Sequence, residues 1–305
     1  MGNNAIHQTY GEQKSKGKMF ASVDIGMIMG RFASILFGIW ISCTCTAENI
    51  SVEEIIPDRV YILHKPDNLP ANAPLVLALH GYGSNGRTLQ WYSGMNEAAD
   101  MNGFAVAYPD GTRDRGGNRH WNANLNISST DDVKYLSELA RDLQAEHQLD
   151  PMRTFVFGMS NGGFMSYTLA CETHNVFRGM ASVTGTMSGY DWNNCNPREP
   201  IPVLHIHGID DRVVPIDGSM QSGGGWGGAP HVDQVVSFWA ELNATKTVDS
   251  VFVSPSTHAF YYRHGQNGNE VWYHRISDWG HQWPGPEDQT GTVASQVIGE
   301  FFRKF

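Results

Sequence analysis

The stretch from Thr154 to Cys171 reads TFVFGMSNGGFMSYTLAC and decides how the chain is expected to fold. It begins with a short apolar run, continues with Gly158-Met159-Ser160-Asn161-Gly162-Gly163 and ends in residues that suit a helix. This order predicts a strand, a sharp turn and a helix, with Ser160 at the turn. The glycines two residues to either side leave the serine hydroxyl open to a reactant. Ser160 is therefore the candidate nucleophile, and the alternative is an ordinary serine in a glycine-rich helix cap.

Strand-like and helix-like segments alternate on both sides of this stretch. The candidate strands are Val60–His64, Leu75–Leu79, Phe104–Tyr108, Phe155–Phe157, Ala181–Val183, Val203–Ile206 and Val271–Ile276. Most are short continuous apolar runs, as buried parallel strands are. Amphipathic helical patterns cover Asp131–Gln148, His231–Asn243 and the last residues of the chain. The alternation predicts an α/β fold with a mostly parallel central sheet and helices on both faces. The glycine-rich run Ser219–Gly228 is predicted to be a surface loop.

Two later loops offer the partners that a nucleophilic serine requires. A serine hydroxyl is a poor nucleophile at neutral pH, so a base and an orienting carboxylate must assist it. The loop after Val203–Ile206 contains Asp210 and Asp211, and between them the residue types alone do not decide. The loop after Val271–Ile276 is rich in Trp, Pro and Gly and presents His281, the predicted general base.

Four other histidines compete with His281. His80, His205 and His207 lie in or directly after buried strands, where a hydrogen-bonded structural role is expected, and His264 is the fourth. His205 and His207 share one face of a strand, but no third ligand has a spacing that suits a metal ion. We therefore expect neither a metal site nor a cofactor.

Backbone N–H groups are expected to stabilise the negative oxygen that forms when a serine attacks a carbonyl. Asn161, directly after the candidate nucleophile, would supply one, and Tyr82, in the glycine-rich loop after Leu75–Leu79, the other. The alternative for the Tyr82 loop is a plain turn. Trp279 and Trp283 flank His281 and are candidate substrate-binding residues. Their alternative role is packing of the histidine loop.

The N-terminal residues and the cysteines point to export. Residues 1–47 are interpreted as an extension and a signal peptide that ends near Ala47, and residues 48–305 as the catalytic domain. An uncleaved anchor and a lipoprotein are the alternatives. The mature chain then holds two cysteines, Cys171 and Cys195, and an even pair in an exported protein predicts one disulfide. Two separate buried thiols are the alternative. The expected location is secreted or periplasmic, without stable membrane association after processing.

The charge of the chain argues against a nucleic-acid partner. The formal net charge is −10, and no run of Lys and Arg offsets it. A polyanion would therefore be repelled.

Five motifs together carry a family resemblance. They are LALHGYGSNG, AVAYPDGT, GMSNGGFMSYTLAC, PVLHIHGIDDRVVP and GHQWPG, in that order. They resemble the secreted polyhydroxybutyrate depolymerase-like and feruloyl esterase-like proteins of the α/β-hydrolase fold, over residues 58–304. The resemblance implies that the acid is the second Asp of the HG-x-x-D pattern, Asp211, and that His281 is the base. Ile209 departs from the threonine usual after HG.

The resemblance and the residues together predict a serine carboxylic-ester hydrolase that works through an acyl-enzyme. The expected partner is a small or oligomeric ester, and a feruloyl or related plant cell-wall ester is the first candidate. A polyhydroxybutyrate or other polyester is the alternative substrate, and a non-catalytic carbohydrate-binding protein that retains the fold is the remote one. The oligomeric state is left open.

Overall fold

A ten-stranded β-sheet forms the centre of the structure. The computed structural model describes residues 51–56, 59–219 and 228–305. The predicted signal peptide and most of the glycine-rich run Ser219–Gly228 lie outside these residues.

The strands of the sheet run mostly parallel. The strands found in the described residues are β1 (Ser51–Ile56), β2 (Arg59–His64), β3 (Leu75–Leu79), β4 (Ala105–Pro109), β5 (Thr112–Arg113), β6 (Arg119–His120), β7 (Thr154–Met159), β8 (Gly179–Val183), β9 (Val203–Gly208), β10 (Thr247–Phe252), β11 (Thr257–Arg263) and β12 (Val271–Ile276). Their order in the sheet is β1-β2-β4-β3-β7-β8-β9-β12-β11-β10, and β5 and β6 form a separate hairpin. In this order, the six adjacent strands β4, β3, β7, β8, β9 and β12 are parallel to one another. At one end β1 and β2, and at the other β11 and β10, are added through antiparallel pairs. The predicted α/β class with a mostly parallel central sheet is confirmed.

Helices cover both faces of the sheet. They are α1 (Gly86–Ser93), α2 (Met95–Asn102), α3 (Asp132–His147), α4 (Asn161–Glu172), α5 (Gly189–Asn194), α6 (Val232–Leu242) and α7 (Ala294–Arg303), with short 3₁₀ turns at Gln266–Gly268 and Pro286–Asp288. Among the described residues, no helix is both long enough and apolar enough to cross a membrane.

Strand β3 shows why both faces are covered. All five of its residues are buried, and successive side chains point to opposite sides of the sheet. Leu75, Leu77 and Leu79 join a core that includes residues of α3, α4 and α6. Val76 and Ala78 join a second core with residues of α1, α2 and α7. A continuous apolar strand of this kind is stable only between two helical layers.

The parallel strands deliver four loops to the same edge of the sheet. β3, β7, β9 and β12 run in one direction, so their carboxyl ends lie side by side. The residues that follow those ends include Tyr82, Ser160, Asp211 and His281. The fold thereby gathers side chains that are far apart in the sequence.

The hairpin of β10 and β11 was not anticipated from the sequence. It extends the sheet beyond β12, and every residue of β10 is exposed. An exposed strand has no continuous apolar run, which was the pattern that identified the buried strands. Val251 and Phe252 are apolar but face solvent.

The predicted disulfide is present. Cys171 near the end of α4 is bonded to Cys195, which directly follows α5, across a sequence separation of 24 residues. The bond therefore fixes the far end of the helix that begins beside Ser160.

Replacing both cysteines by serine should lower the free energy of unfolding by about 3 kcal/mol, because a loop of this length loses its entropic constraint in the unfolded chain. Urea unfolding followed by tryptophan fluorescence measures the change. The wild-type protein in excess thiol reductant is the control and should unfold at the midpoint of the double variant. Equal midpoints for the oxidised protein and the variant would contradict the prediction.

Candidate active site

Ser160 occupies the sharp turn between β7 and α4. Its backbone has φ 54° and ψ −120°, a conformation that residues other than glycine seldom adopt. The turn is tight enough to exclude a side chain at the positions two residues before and after Ser160. A Cβ atom on Gly158 would lie 2.1 Å from the carbonyl carbon of Gly162, and one on Gly162 would lie 2.1 Å from the backbone oxygen of Leu79. The two glycines are therefore required by close backbone approach.

Asp211 and His281 form a hydrogen-bonded pair. Asp211 Oδ2 accepts from His281 Nδ1 at 2.7 Å, and Asp211 Oδ1 accepts from the backbone N–H groups of Val213 and Val214 at 2.8 Å each. The neighbouring Asp210 is exposed. The structure thus brings Asp211, and not Asp210, to the imidazole.

The surroundings of Asp211 favour its charged form. Burial by itself would raise the pKa of this carboxyl group, but the hydrogen bond and charge of His281, together with the Val214 N–H, outweigh burial and lower it. The carboxylate is therefore held ionised beside the imidazole.

One pocket of about 390 Å³ contains both Ser160 and His281 in its wall. Its lining consists of Gly81, Tyr82, Ser84, Tyr92, Met159, Ser160, His281, Gln282 and Trp283. Three aromatic rings and a methionine make most of this wall apolar. A pocket of this kind suits an uncharged ligand with some apolar surface.

The two tryptophans predicted to bind substrate have different positions. Trp283 lines the pocket, where its ring lies 6.0 Å from that of Tyr92 in an edge-to-face arrangement. Trp279 is not among the lining residues. Its indole N–H donates to the Gln282 carbonyl at 3.3 Å and its own carbonyl accepts from Asp210 N–H at 3.0 Å. These contacts within the loop agree with the alternative role of Trp279, packing of the histidine loop, and its substrate-binding role stays a prediction.

Of the two residues predicted to donate backbone N–H groups, Asn161 directly follows Ser160 and Tyr82 lines the same pocket as Ser160. Asn161 is the first residue of α4, and its side chain both accepts from Trp121 N–H at 2.7 Å and donates to the Trp121 carbonyl at 2.9 Å. The Trp121 indole N–H donates to the His80 carbonyl at 3.0 Å, at the start of the Tyr82 loop. Trp121 thus ties the loop that carries Tyr82 to the turn that carries Ser160.

The Tyr82 side chain is fixed at the rim of the pocket. Its hydroxyl donates to Asp114 Oδ2 and accepts from Asn118 Nδ2 at 3.1 Å, both between β5 and β6. Tyr82 as a residue is 42% exposed, so it presents aromatic surface to solvent beside the pocket.

Sequence reasoning did not identify Tyr92, Met159 or Gln282 as pocket residues. Met159 lies inside the serine motif, and its sulfur accepts from the Tyr92 hydroxyl at 3.1 Å. Met159 could have been placed from its position beside Ser160. Tyr92 belongs to α1, and nothing in the local sequence indicates that its ring reaches the pocket.

Comparison with known proteins identifies the family. Residues 60–237 match the family described as Esterase PHB depolymerase. The chain belongs to this family. The matched region includes Ser160 and Asp211 and ends before His281.

Several curated relatives of this family member are esterases. It is 34% identical over 174 residues to a probable feruloyl esterase C of Aspergillus oryzae, an alignment that covers 54% of this chain and 59% of the relative. It is 34% identical over 163 residues to the putative esterase NocK of Nocardia uniformis subsp. tsuyamanensis, covering 52% and 47% of the two chains. The chain thus spans about half the length of the curated relatives it matches.

Solved structures of esterases share the fold of this family member. An acetyl xylan esterase from Aspergillus awamori superposes with a TM-score of 0.59 at 16% identity, over 80% of this chain and 94% of that one. A Bacillus cereus carboxylesterase gives a TM-score of 0.55 at 16% identity, over 81% and 94%. At this identity the likeness establishes the fold.

Three of the four histidines that compete with His281 have structural partners. His80 is buried, with Nδ1 facing the Gly81 carbonyl at 2.8 Å and Nε2 accepting from Gly111 N–H at 2.9 Å. His205 and His207 are buried and hydrogen-bonded to each other at 3.0 Å. His264 lies just beyond β11 in a left-handed backbone conformation. In the part of the chain that the structure describes, no group of three or more metal-ligating side chains occurs.

Two of the buried histidines should make stability depend on pH. Burial lowers the pKa of His80 and of His274 to about 4 each. In the unfolded chain both imidazoles bind protons below about pH 6.5, whereas the folded protein keeps them neutral down to about pH 4. Stability is therefore full above about pH 6.5 and is lost as the pH falls towards 4. From pH 7 to pH 5, the titration of each histidine should lower the free energy of unfolding by about 2 kcal/mol.

Urea unfolding of wild type and His274→Gln at about pH 7 and pH 5 tests this titration. The fall in unfolding free energy should be about 2 kcal/mol smaller in His274→Gln. His174→Gln is the control, because His174 is exposed, and it should show the wild-type fall. An equal fall in wild type and His274→Gln would rule out the proposed titration.

Proposed function

We propose that this chain is a serine carboxylic-ester hydrolase that works through an acyl-enzyme. The observation that carries the proposal is the placement of Ser160 and His281 in the wall of one pocket, with Asp211 bonded to the imidazole Nδ1. Because Nδ1 is occupied by the carboxylate, Nε2 is the nitrogen left to take the serine proton. Membership of an esterase family supports the same reaction.

The proposed reaction proceeds in two halves. Ser160 Oγ attacks the ester carbonyl carbon while His281 Nε2 takes the hydroxyl proton, and Asp211 stabilises the imidazolium. The tetrahedral intermediate collapses, the carbon–oxygen bond to the alcohol breaks, and His281 gives its proton to the departing alcohol. Water then attacks the acyl-enzyme carbonyl while His281 takes its proton. The bond from the acyl carbon to Ser160 Oγ breaks, His281 returns the proton to Oγ, and the acid leaves.

The N–H groups of Asn161 and Tyr82 are proposed to stabilise the negative oxygen of both intermediates. Asn161 opens α4, where the N–H groups of the first turn have no partner within the helix. The Trp121 contacts hold the two backbone segments at a fixed separation. Such preorganised donors favour the charged intermediate over the neutral ester.

We propose that the acyl group is planar and aromatic, as in feruloyl and related plant cell-wall esters. Tyr82, Tyr92 and Trp283 give the pocket aromatic walls against which such a group can stack. Feruloyl esterase C enzymes among the relatives support this choice. A polyester or hydroxyalkanoate oligomer is the second candidate, favoured by the family description. A purely carbohydrate-binding role would give no reason for Asp211 to be bonded to His281.

We further propose that residues 48–305 act as a catalytic domain after export and removal of residues 1–47. The Cys171–Cys195 bond supports an oxidising compartment outside the cytoplasm. The charge pattern of the sequence supports a neutral ester rather than a nucleic acid as the partner.

Ser160→Ala and His281→Ala should each lower kcat/KM for a p-nitrophenyl ester by at least about 10³-fold, because the three residues act as a unit. Asp211→Asn should also be strongly impaired, because an amide cannot hold the imidazole in the required tautomer. Asp210→Asn is the matched control and should retain near wild-type kinetics. Near wild-type turnover in Ser160→Ala would disprove the mechanism, and a larger effect at Asp210 than at Asp211 would reassign the acid.

Methyl ferulate should be hydrolysed faster than a suspension of solid polyhydroxybutyrate, because the aromatic pocket accepts one planar acyl group. Initial rates of acid release on both substrates, at equal enzyme concentration, measure the preference. Trp283→Leu should narrow the difference by removing one stacking wall. Rapid clearing of the polymer with no release of ferulate would instead indicate that a polyester is the substrate.

A further inference from the structure

We infer that Tyr167, His205 and His207 form a hydrogen-bonded chain that positions Asp211 for the proposed reaction. Tyr167 Oη lies 2.7 Å from His205 Nδ1, His205 Nε2 lies 3.0 Å from His207 Nδ1, and His207 Nε2 lies 2.8 Å from the Val214 carbonyl oxygen. All three side chains are fully buried. The inference rests on the function proposed above, in which Asp211 orients the base.

The direction of every hydrogen bond in the chain is fixed by its last acceptor. The Val214 carbonyl can only accept, so His207 Nε2 carries a hydrogen. A neutral His207 then accepts at Nδ1, which requires His205 Nε2–H to donate. His205 Nδ1 is left as an acceptor, and the Tyr167 hydroxyl donates to it. One tautomer of each imidazole satisfies every ring nitrogen without any charge.

The environment of the chain keeps both imidazoles neutral. Burial lowers the pKa of His205 well below that of a free histidine and also lowers that of His207. The rings of Trp239 and Tyr273 pack around Tyr167 and His205. The charged or titratable groups that act on His207 are Asp211, Asp233, His205 and His281. A neutral chain adds no further charge beside the Asp211–His281 pair.

Val214 connects the hydrogen-bonded chain to Asp211. Its carbonyl accepts from His207, and its N–H donates to Asp211 Oδ1 at 2.8 Å. Val214 is also completely buried, so its carbonyl, its N–H group and its side chain are all fixed in place. His207 Nε2 is 3.7 Å from Asp211 Oδ2, which is too far for a hydrogen bond. His207 therefore acts on the carboxylate through the backbone of the turn.

The other end of the chain lies on the helix of the nucleophile. Tyr167 belongs to α4, which begins directly after Ser160, about two helical turns away. His205 and His207 belong to β9, which ends just before the turn of Asp211. The chain thus ties the helix behind the nucleophile to the turn that carries the acid. These three side chains are positioning residues, since none of them lines the pocket.

The test compares substitutions that cut the chain with substitutions that spare it. Tyr167→Phe removes only the hydroxyl that donates to His205, and should lower kcat about tenfold, the equivalent of one buried hydrogen bond. His207→Leu removes both links and should lower kcat about 100-fold. His207→Gln keeps a donor towards Val214 and should recover most of that loss. KM should stay near its wild-type value in all three, because the pocket is unchanged.

Two controls separate positioning from stability. Tyr135→Phe removes a buried hydroxyl that has no hydrogen-bond partner among the described residues, and His274→Leu removes a buried histidine outside the chain. Both should keep wild-type kcat even where the melting temperature falls. Equal kcat in Tyr167→Phe and Tyr135→Phe would overturn the inference, as would equal losses in His207→Leu and His274→Leu.

Proton NMR of the Asp211–His281 hydrogen bond provides a readout that does not depend on activity. The low-field resonance of the His281 Nδ1 proton should be present in wild type and Tyr135→Phe and weakened or shifted in Tyr167→Phe. If wild type hydrolyses no ester but the resonance still responds to Tyr167→Phe, the positioning chain stands and the proposed function fails. An unchanged resonance in Tyr167→Phe refutes the chain whatever the activity.

Discussion

The backbone conformation of Ser160 is the constraint on which the rest of the site depends. A residue with φ 54° and ψ −120° lies outside the regions favoured by L-amino acids, at a cost of about 1–3 kcal/mol. Hydrogen bonds on both sides hold it there, from Ser160 N–H to the Val183 carbonyl at 2.9 Å and from Phe164 N–H to the Ser160 carbonyl at 3.0 Å. The surrounding sheet and helix therefore stabilise a turn that would not persist alone.

Sequence alone predicted the parts of this molecule that depend on local pattern. The bounds predicted for β3 and β12 are those of the structure, and β3 is an uninterrupted apolar run between Pro74 and His80. The turn at Ser160 was predicted because Gly158 and Gly162 lie close to Ser160 in the sequence, two residues to either side. The residues that meet only through tertiary contact were harder to foresee. The exposed β10 offered no apolar run, and Tyr92 reaches the pocket from α1, a helix that was not among the predicted ones.

The choice between Asp210 and Asp211 shows the same limit at the level of one residue. The two carboxylates are adjacent, so composition and spacing treat them alike. What separates them is the path of the turn, which buries one and exposes the other. The two roles considered for Trp279 stay undivided by sequence for a related reason, because a position beside His281 does not determine which face of the loop the ring occupies.

The position of β12 has a consequence for anyone who wishes to isolate the domain. β12 pairs in parallel with β9, although more than 60 residues separate the two strands in the sequence. A fragment cut at residues 60–237, where the family match begins and ends, would retain the serine and the aspartate and lose the imidazole. It would also leave β9 at an open edge, with backbone groups that normally pair with β12 exposed to water and free to pair with another chain. A minimal expression fragment must therefore extend past β12 and its loop.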